Sequence, residues 1–355
     1  MSDFTEFHSE LRSVARDLLA PRTRGAERVG DADWQQIADA GWAGLEVGED
    51  LGGAGASFGE VAIIAEEMGR AASTTAYLSG AVLSVGTLNA LRADAARNQL
   101  LTDIATGARR TAAVLSTDGE SPYASAPFRI DLALHLTGSA TFVPDADGAD
   151  RLLLLADAAD GPVVVDVAAD GLSVTPQPVL DETRRLSAVQ ADITVDASAV
   201  QTFDGDPALQ IRRLYDRASA AIAADSLGVS EAMLAATVSY ASVRHQFGRP
   251  IGSFQAVKHA CADMFVRILV ARQLVRAAVD AIADDDHDAS TAASMAKAYT
   301  CAAAVDIAGK AMQLHGGIGY TWESGIHVYL KRALLNRSLF GSPAAHRKRL
   351  AERYR

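Results

Sequence analysis

The chain has 355 residues, about half of them apolar, and a formal net charge of −11 from 33 Lys and Arg against 44 Asp and Glu. That is enough apolar material for one large core or two to three domains, and it excludes wholesale disorder. The acidic balance excludes nonspecific nucleic-acid binding as the main role, because no excess of cations is available to displace counterions from phosphate.

The two cysteines, Cys261 and Cys301, form no CxxC or metal spacing and read as reduced core residues. No basic stretch followed by an apolar run opens the chain, so no signal peptide is expected. No run of about eighteen apolar residues suggests a membrane span, and the expected location is the cytoplasm.

Residues 1–110 read as helical. Phe4, Phe7, Leu11, Val14 and Leu18 mark one face of a first helix, and Asp33 is placed to cap a second through Trp34 and Ile37. The stretch Gly41–Ala71 carries glycines between Gly52 and Gly59. No strand precedes them and no Gly-Lys-Ser/Thr follows, so a turn between helices is expected rather than a phosphate cradle.

Between residues 111 and 200 the period changes. Short apolar runs at Ala112–Leu115, Leu132–Leu136, Leu152–Leu155, Val163–Val167 and Val189–Ile193 are separated by Gly, Pro and Asp, which predicts a small β domain. From residue 201 to 355 the pattern is helical again. Asp206 is a natural N-cap with Pro207 in the first turn. The helix it opens is expected to run to about Phe247, or roughly 55–60 Å, where Gly248 caps it and Pro250 stops it. Ser253 reopens a helix with Phe254, Val257, Cys261, Met264, Phe265 and Ile268 at helical spacing. The acidic run Asp284–Asp286 with Asp288 breaks that helix from the next and reads as a solvated loop.

The turn RHQFGRPIGSFQAVKH (Arg244–His259) gathers cations, amides and rings that a plain helical hairpin does not require. It resembles the hairpin of the acyl-CoA dehydrogenase family, R-x-x-F-G-x-x-(I/L)-x-x-(F/H)-Q. QLHGGIGYTWESGIHVYLKRA (Gln313–Ala333) resembles the same family's Q-x-x-G-G-x-G-(F/Y) motif, and the G-W-x-G-L and E-E-x-G-R stretches near the start resemble its N-terminal helices. The resemblance implies an α+β, mainly α fold: an N-terminal helical domain (1–110), a middle β domain (111–200) and a C-terminal four-helix bundle (201–355).

The resemblance also implies FAD held between subunits. Arg244, Gln246, Phe247 and Phe254, with Gln313, Gly316 and Gly317, match positions that meet a neighbouring subunit's cofactor. A guanidinium suits a diphosphate through its paired donors, and glycines let a cofactor approach the backbone. Contacts to a subunit's own flavin are weaker here. The family's T-E-P-x-x-G-S-D-like loop becomes STDGESPYASAP, leaving Ser116 and Thr117 as donors, and its Trp-x-Thr pair becomes Phe142 and Pro144, a residue without an N–H.

The base is absent at both family positions. The usual C-terminal Glu-Gly-Thr is Phe340-Gly341-Ser342, and the alternative helix position is Ala218, followed by Ser219 where an arginine is usual. Asp216 and Glu323 are the nearby acids; the first reads as a solvated helix residue and the second as a loop ion pair. His245, His259 and His315 show no metal spacing, and no metal is expected. His315, inside the glycine motif, has two readings, toward the cofactor or in a polar pocket.

Two functions follow from the resemblance. One is a complementing subunit, without a catalytic residue of its own, that lends FAD contacts to a catalytic partner acting on an acyl-CoA thioester. The other is a self-sufficient FAD enzyme, a homodimer or tetramer, with a non-standard base. Either passes electrons to an electron-transfer flavoprotein or similar acceptor.

Overall fold

A computed structural model describes residues 2–19, 22–24, 27–29, 33–116 and 126–352. Thr117 and the rest of its loop lie outside the described residues, as does the side chain of Phe4.

Helix α1 (Ser2–Leu19) is followed by a two-stranded ribbon, β1 (Arg22–Arg24) and β2 (Glu27–Val29), which the helical reading of this region did not contain. The buried face of α1 also differs from expectation. Leu11 and Leu18 pack against the core as expected, but the buried residues are Ala15 and Leu19, and Phe7 and Val14 are exposed. Beside these apolar contacts its basic edge faces α3 (Phe58–Ala71): His8 meets Glu60 at 2.6 Å, Arg12 meets Glu66 at 3.2 Å and Arg16 meets Glu67 at 2.9 Å.

Between them lies α2 (Trp34–Asp39), capped by the Asp33 carboxylate, which accepts from the Gln36 N–H as expected. The glycine turn is structural, because a Cβ on Gly53 would lie 2.2 Å from the Val47 carbonyl. Ser57 and Glu60 form a capping box that opens α3. A π-helical segment (Leu78–Ser84) runs into α4 (Val85–Asn89), and α5 (Ala95–Ala105) follows.

The strands β3 (Thr111–Val114), β4 (Phe128–Ile130), β5 (His135–Pro144), β6 (Arg151–Ala158), β7 (Gly161–Ala168), β8 (Ser173–Gln177), β9 (Leu186–Thr194) and β10 (Val200–Thr202) form one sheet in the order β10-β7-β6-β4-β5-β9-β8, with β3 added parallel to β6. The run expected at Leu132–Leu136 is mostly a turn. Leu132 is 90 % exposed, and the Asp131 carboxylate accepts from the amides of Ala133 and His135, so β5 starts three residues later. A bulge against β9 between Ala140 and Val143 contains Phe142 at φ +54°.

The bundle is built on α6 (Pro207–Val243), capped by Asp206 as expected and buried continuously from Leu214 to Ser230. By length and composition α6 could cross a membrane, but 72 % of its apolar window is buried inside the protein. It crosses α3 backbone to backbone. A Cβ on Gly228 would fall 1.8 Å from the Glu66 carbonyl oxygen, and one on Gly69 would fall 1.9 Å from that of Asp225. After β11 (His245–Gln246) and β12 (Arg249–Pro250) come α7 (Gln255–Ala283), α8 (Ala289–His315), α9 (Ile326–Ser338) and α10 (Pro343–Glu352). Cys301 is buried as expected, whereas Cys261 is only partly so, because α7 buries a narrow stripe; both are free thiols.

Candidate functional site: two ends of one long helix

The hairpin differs from the expected capped helix. Helix α6 stops at Val243, four residues early, and Arg244 is already extended. His245 and Gln246 pair with Arg249 and Pro250, leaving Phe247 (φ +51°) and Gly248 (φ +77°) as a two-residue turn with both residues left-handed. Gly248 therefore serves a β-turn, not a helix cap. Ser253 donates its hydroxyl to the Pro250 carbonyl, and α7 opens after Phe254.

A phenylalanine in the left-handed region is uncommon and strained. Here the turn holds Phe247 out, 92 % exposed, its ring edge-on to Phe254 at 6.2 Å, while the Arg249 guanidinium lies 4.1 Å above the Phe254 ring. Arg244 is exposed and makes no ion pair or side-chain hydrogen bond among the described residues. Gln246 is exposed, with its amide donating to the His245 carbonyl.

The glycine motif reaches the same end. Helix α8 finishes at His315, which is buried and stacks on Tyr240 of α6 at 4.5 Å. This is the inward of the two orientations considered for it. Gly316 (φ +62°) then turns the chain, and nothing stands within 4 Å of where a Cβ on Gly316 or Gly317 would be. Gln313 is exposed, its side-chain oxygen accepting from Lys310, and Tyr320 and Trp322 are exposed beyond the glycines. The structure thus brings Arg244, Gln246, Phe247, Phe254, Gln313, Gly316 and Gly317 to one end of the bundle. Unpaired guanidinium, open glycine backbone and exposed rings fit a dinucleotide's diphosphate and adenine.

Ser116 is not among them. It lies two residues past β3, where its backbone meets the hydroxyl of Tyr215, near the opposite end of α6. Tyr215 and Arg244 are 29 residues apart on this helix, or about 43 Å along its axis. The two groups of expected FAD contacts in one chain cannot touch the same cofactor.

At this second end both positions expected to carry a base are sealed. Ala218, Ser219 and Phe340 are buried, and Phe340 meets Tyr215 edge-on at 6.2 Å. The own-side residues do not fit a flavin as they stand. Pro144 offers no donor, and the Ser116 backbone is taken by Tyr215.

Neither nearby acid replaces the base. Asp216 is buried, not solvated as expected. Burial pushes its carboxyl up, while the Ser290 hydroxyl and Arg349 hold it on the opposite side. It lies two residues from Ala218, roughly 200° around the helix, and lines a different cavity of about 570 Å³ with Glu46, Arg217 and Ser290. Glu323 is fully exposed, and hydrogen bonds from its own backbone and Thr321 hold it below the usual carboxylate range, opposite to what a base near neutrality needs. His245 and His259 are exposed.

Sequence reasoning missed Tyr215 and Lys297. Tyr215 carried a usable signal, one helical turn before Ala218. Lys297 is fully buried and donates to the carbonyls of Asn336 and Gly341, 2.9 Å each. Only the fold shows that it clamps the turn bearing Phe340.

Residues 209–354 match the family model described as "Acyl-CoA dehydrogenase, C-terminal domain", and residues 2–108 match that described as "Acyl-CoA dehydrogenase, N-terminal domain". The chain is similar to the acyl-CoA dehydrogenase IpdE2 of Mycolicibacterium smegmatis, 32 % identical over 318 residues, covering 89 % of this chain and 86 % of that protein. Similarity to IpdE2 of Mycobacterium tuberculosis is 33 % over 325 residues, covering 89 % and 85 %. Among solved structures, the Tcur3481-Tcur3483 steroid ACAD superposes with a TM-score of 0.84 at 29 % identity, covering 98 % of this chain and 97 % of that one. The chain belongs to the acyl-CoA dehydrogenase family, whose cofactor is FAD.

Proposed function

We propose that this chain is the complementing subunit of a heteromeric acyl-CoA dehydrogenase. The observation that carries the reading is the contrast between the two ends of α6. The Arg244 end is open, cationic and unpartnered, while the Tyr215 end is packed and lacks a carboxylate at Ala218 and Phe340. A chain so built lends contacts to a cofactor seated in another subunit and does not run the reaction on its own side.

FAD, when bound, supplies the hydride acceptor; the partner's carboxylate takes the α-proton of the thioester. This chain's share is to hold the diphosphate with Arg244 and to let the cofactor approach at Gly316 and Gly317. The likeness to a steroid ACAD supports a steroid-derived acyl-CoA as the substrate class, with an electron-transfer flavoprotein or similar carrier taking the electrons.

One observation favours the alternative, a self-sufficient FAD enzyme with an unusual base: Asp216 is buried, raised and on a cavity wall. Its contacts with Ser290 and Arg349, and its direction away from Ala218, weigh against that role.

Co-expression with a family member that carries the glutamate tests the proposal. The expected product is a mixed assembly with one FAD per unlike pair. Tight binding of one FAD per subunit by this chain alone overturns it.

A further inference from the structure

The closed end of α6 is built, not merely depleted. Tyr215 leaves α6, is buried along its length, and reaches the backbone of Ser116 two residues past β3, so its ring spans from the bundle to the β domain. Phe340 meets it from the α9–α10 turn. Ala218 and Ser219, in the next turn of α6 after Tyr215, are both buried. One position where the family places a carboxylate is thus Phe340 itself, and the other, Ala218, lies one helical turn from the tyrosine whose ring Phe340 meets.

The turn that supplies the second ring is strained and held. Phe340 sits at φ +54° and Gly341 at φ +97°. A non-glycine residue persists in the left-handed region only where its surroundings over-determine it. Here Lys297 donates to the Gly341 carbonyl at 2.9 Å, and the ring nitrogen Nε2 of His346 donates to the Phe340 carbonyl at 3.0 Å. A Cβ on Gly341 would also lie 2.9 Å from that imidazole. Two buried side chains from α8 and α10 thus aim Phe340 at Tyr215.

We propose that Tyr215 and Phe340 are a plug that closes this chain's own cofactor and thioester cleft, so that bulk limits an unlike pair to one FAD. The inference rests on the complementing reading and deepens it. Loss of individual hydrogen bonds, as at Pro144, weakens a flavin site; two packed rings exclude the flavin whatever its concentration. Tyr215 and Phe340 are therefore stoichiometry-determining residues, with Lys297 and His346 as positioning residues.

The test compares co-purified assemblies carrying wild-type chain, Tyr215→Phe, or the double variant Tyr215→Ala/Phe340→Ala. FAD is added in excess, unbound flavin is removed, and FAD per pair is read from absorbance after release. Wild type and Tyr215→Phe, which keeps the ring, are expected at one FAD per pair. The double variant is expected to rise toward two. A folded, assembled double variant that stays at one overturns the proposal, as does a Tyr215→Phe assembly that gains as much as the double variant. If the double variant does not fold, crystals of the wild-type assembly soaked in FAD decide the question. Both rings in place with no flavin against Ser116 is the expected result, and a flavin seated there overturns the plug. Two FADs per wild-type pair would bring down the complementing reading as well, whereas one per pair in both wild type and the opened variant brings down the plug alone.

Discussion

Tyr240 and His315 stack at 4.5 Å with their rings 21° apart, locking the last turn of α6 to the last turn of α8. The hairpin with Arg244 and the turn with Gly316 both spring from these two turns, so one buried contact sets the spacing of the groups proposed to face the cofactor. Aromatic pairs of this kind contribute about 0.5–1.5 kcal/mol beyond their buried area. Tyr240→Ala is expected to lower the urea midpoint modestly and to weaken FAD in the mixed assembly, although Tyr240 is not itself proposed to touch the cofactor. A variant with the lower midpoint but unchanged FAD affinity would separate the stack from the site.

Alone, the purified chain is expected not to oxidise acyl-CoA thioesters, because Ala218 and Phe340 stand where a carboxylate is needed. The assay uses short, medium, branched and steroid-derived thioesters with an artificial electron acceptor. Turnover on the ordinary enzyme scale, about 1–100 per second, would show that another group serves as base.

Arg244→Ala in the mixed assembly should weaken FAD by roughly ten- to a hundredfold, the equivalent of about 1.5–3 kcal/mol for a charge-assisted hydrogen bond. Arg244→Lys should recover only part, since an ammonium lacks the planar paired donors. Fluorescence titration of apo-assembly with FAD gives both numbers. Equal affinity for all three proteins would remove Arg244 from the cofactor.

Helix α7 leaves Phe265, Val266, Leu269 and Val270 exposed along its outer side, and Val238 of α6 is exposed too. An apolar face of this length beside a cofactor-lending hairpin is expected to be covered by another subunit. Phe265→Glu with Leu269→Glu should shift sedimentation at micromolar concentration toward monomer while leaving the circular dichroism of the fold unchanged. An unaltered oligomer would place the subunit contact elsewhere.

His346 makes stability depend on pH. Burial, then the neighbouring Lys297 charge, push its pKa down to about 4, against about 6.5 in an unfolded chain. Between these values the unfolded state binds the proton and the folded state does not, so stability falls as pH drops from about 6.5 to 4. The loss attributable to this residue reaches at most about 3.4 kcal/mol. His346→Gln should flatten the slope of thermal midpoint against pH in this window; an unchanged slope would assign it to other groups.

Much of the architecture was legible in the chain because it follows from local rules. Asp206 and Asp33 cap helices by short-range chemistry that needs no tertiary partner. The change of apolar period near residue 111 marks the sheet. The hairpin and glycine motifs are each contiguous in sequence, so residue order alone identifies their members. Local rules misled where long-range contacts decide. Phe7 and Val14 face outward on a helix whose His8, Arg12 and Arg16 meet carboxylates on α3. Leu132 is exposed because the Asp131 side chain closes a turn ahead of the strand.

What the sequence by itself determined was the family, the absence of a carboxylate at Ala218 and Phe340, and the retention of Arg244 and the paired glycines, since each of these is a matter of residue identity. Only the tertiary structure decided that Asp216 is buried against Ser290 and Arg349, that Phe247 projects from a left-handed turn, and that Tyr215 and Phe340, 125 residues apart in the chain, meet where the base is missing. Contacts of that range depend on how α6, β3 and the α9–α10 turn pack together, and no local periodicity encodes the direction in which a side chain points once they have done so.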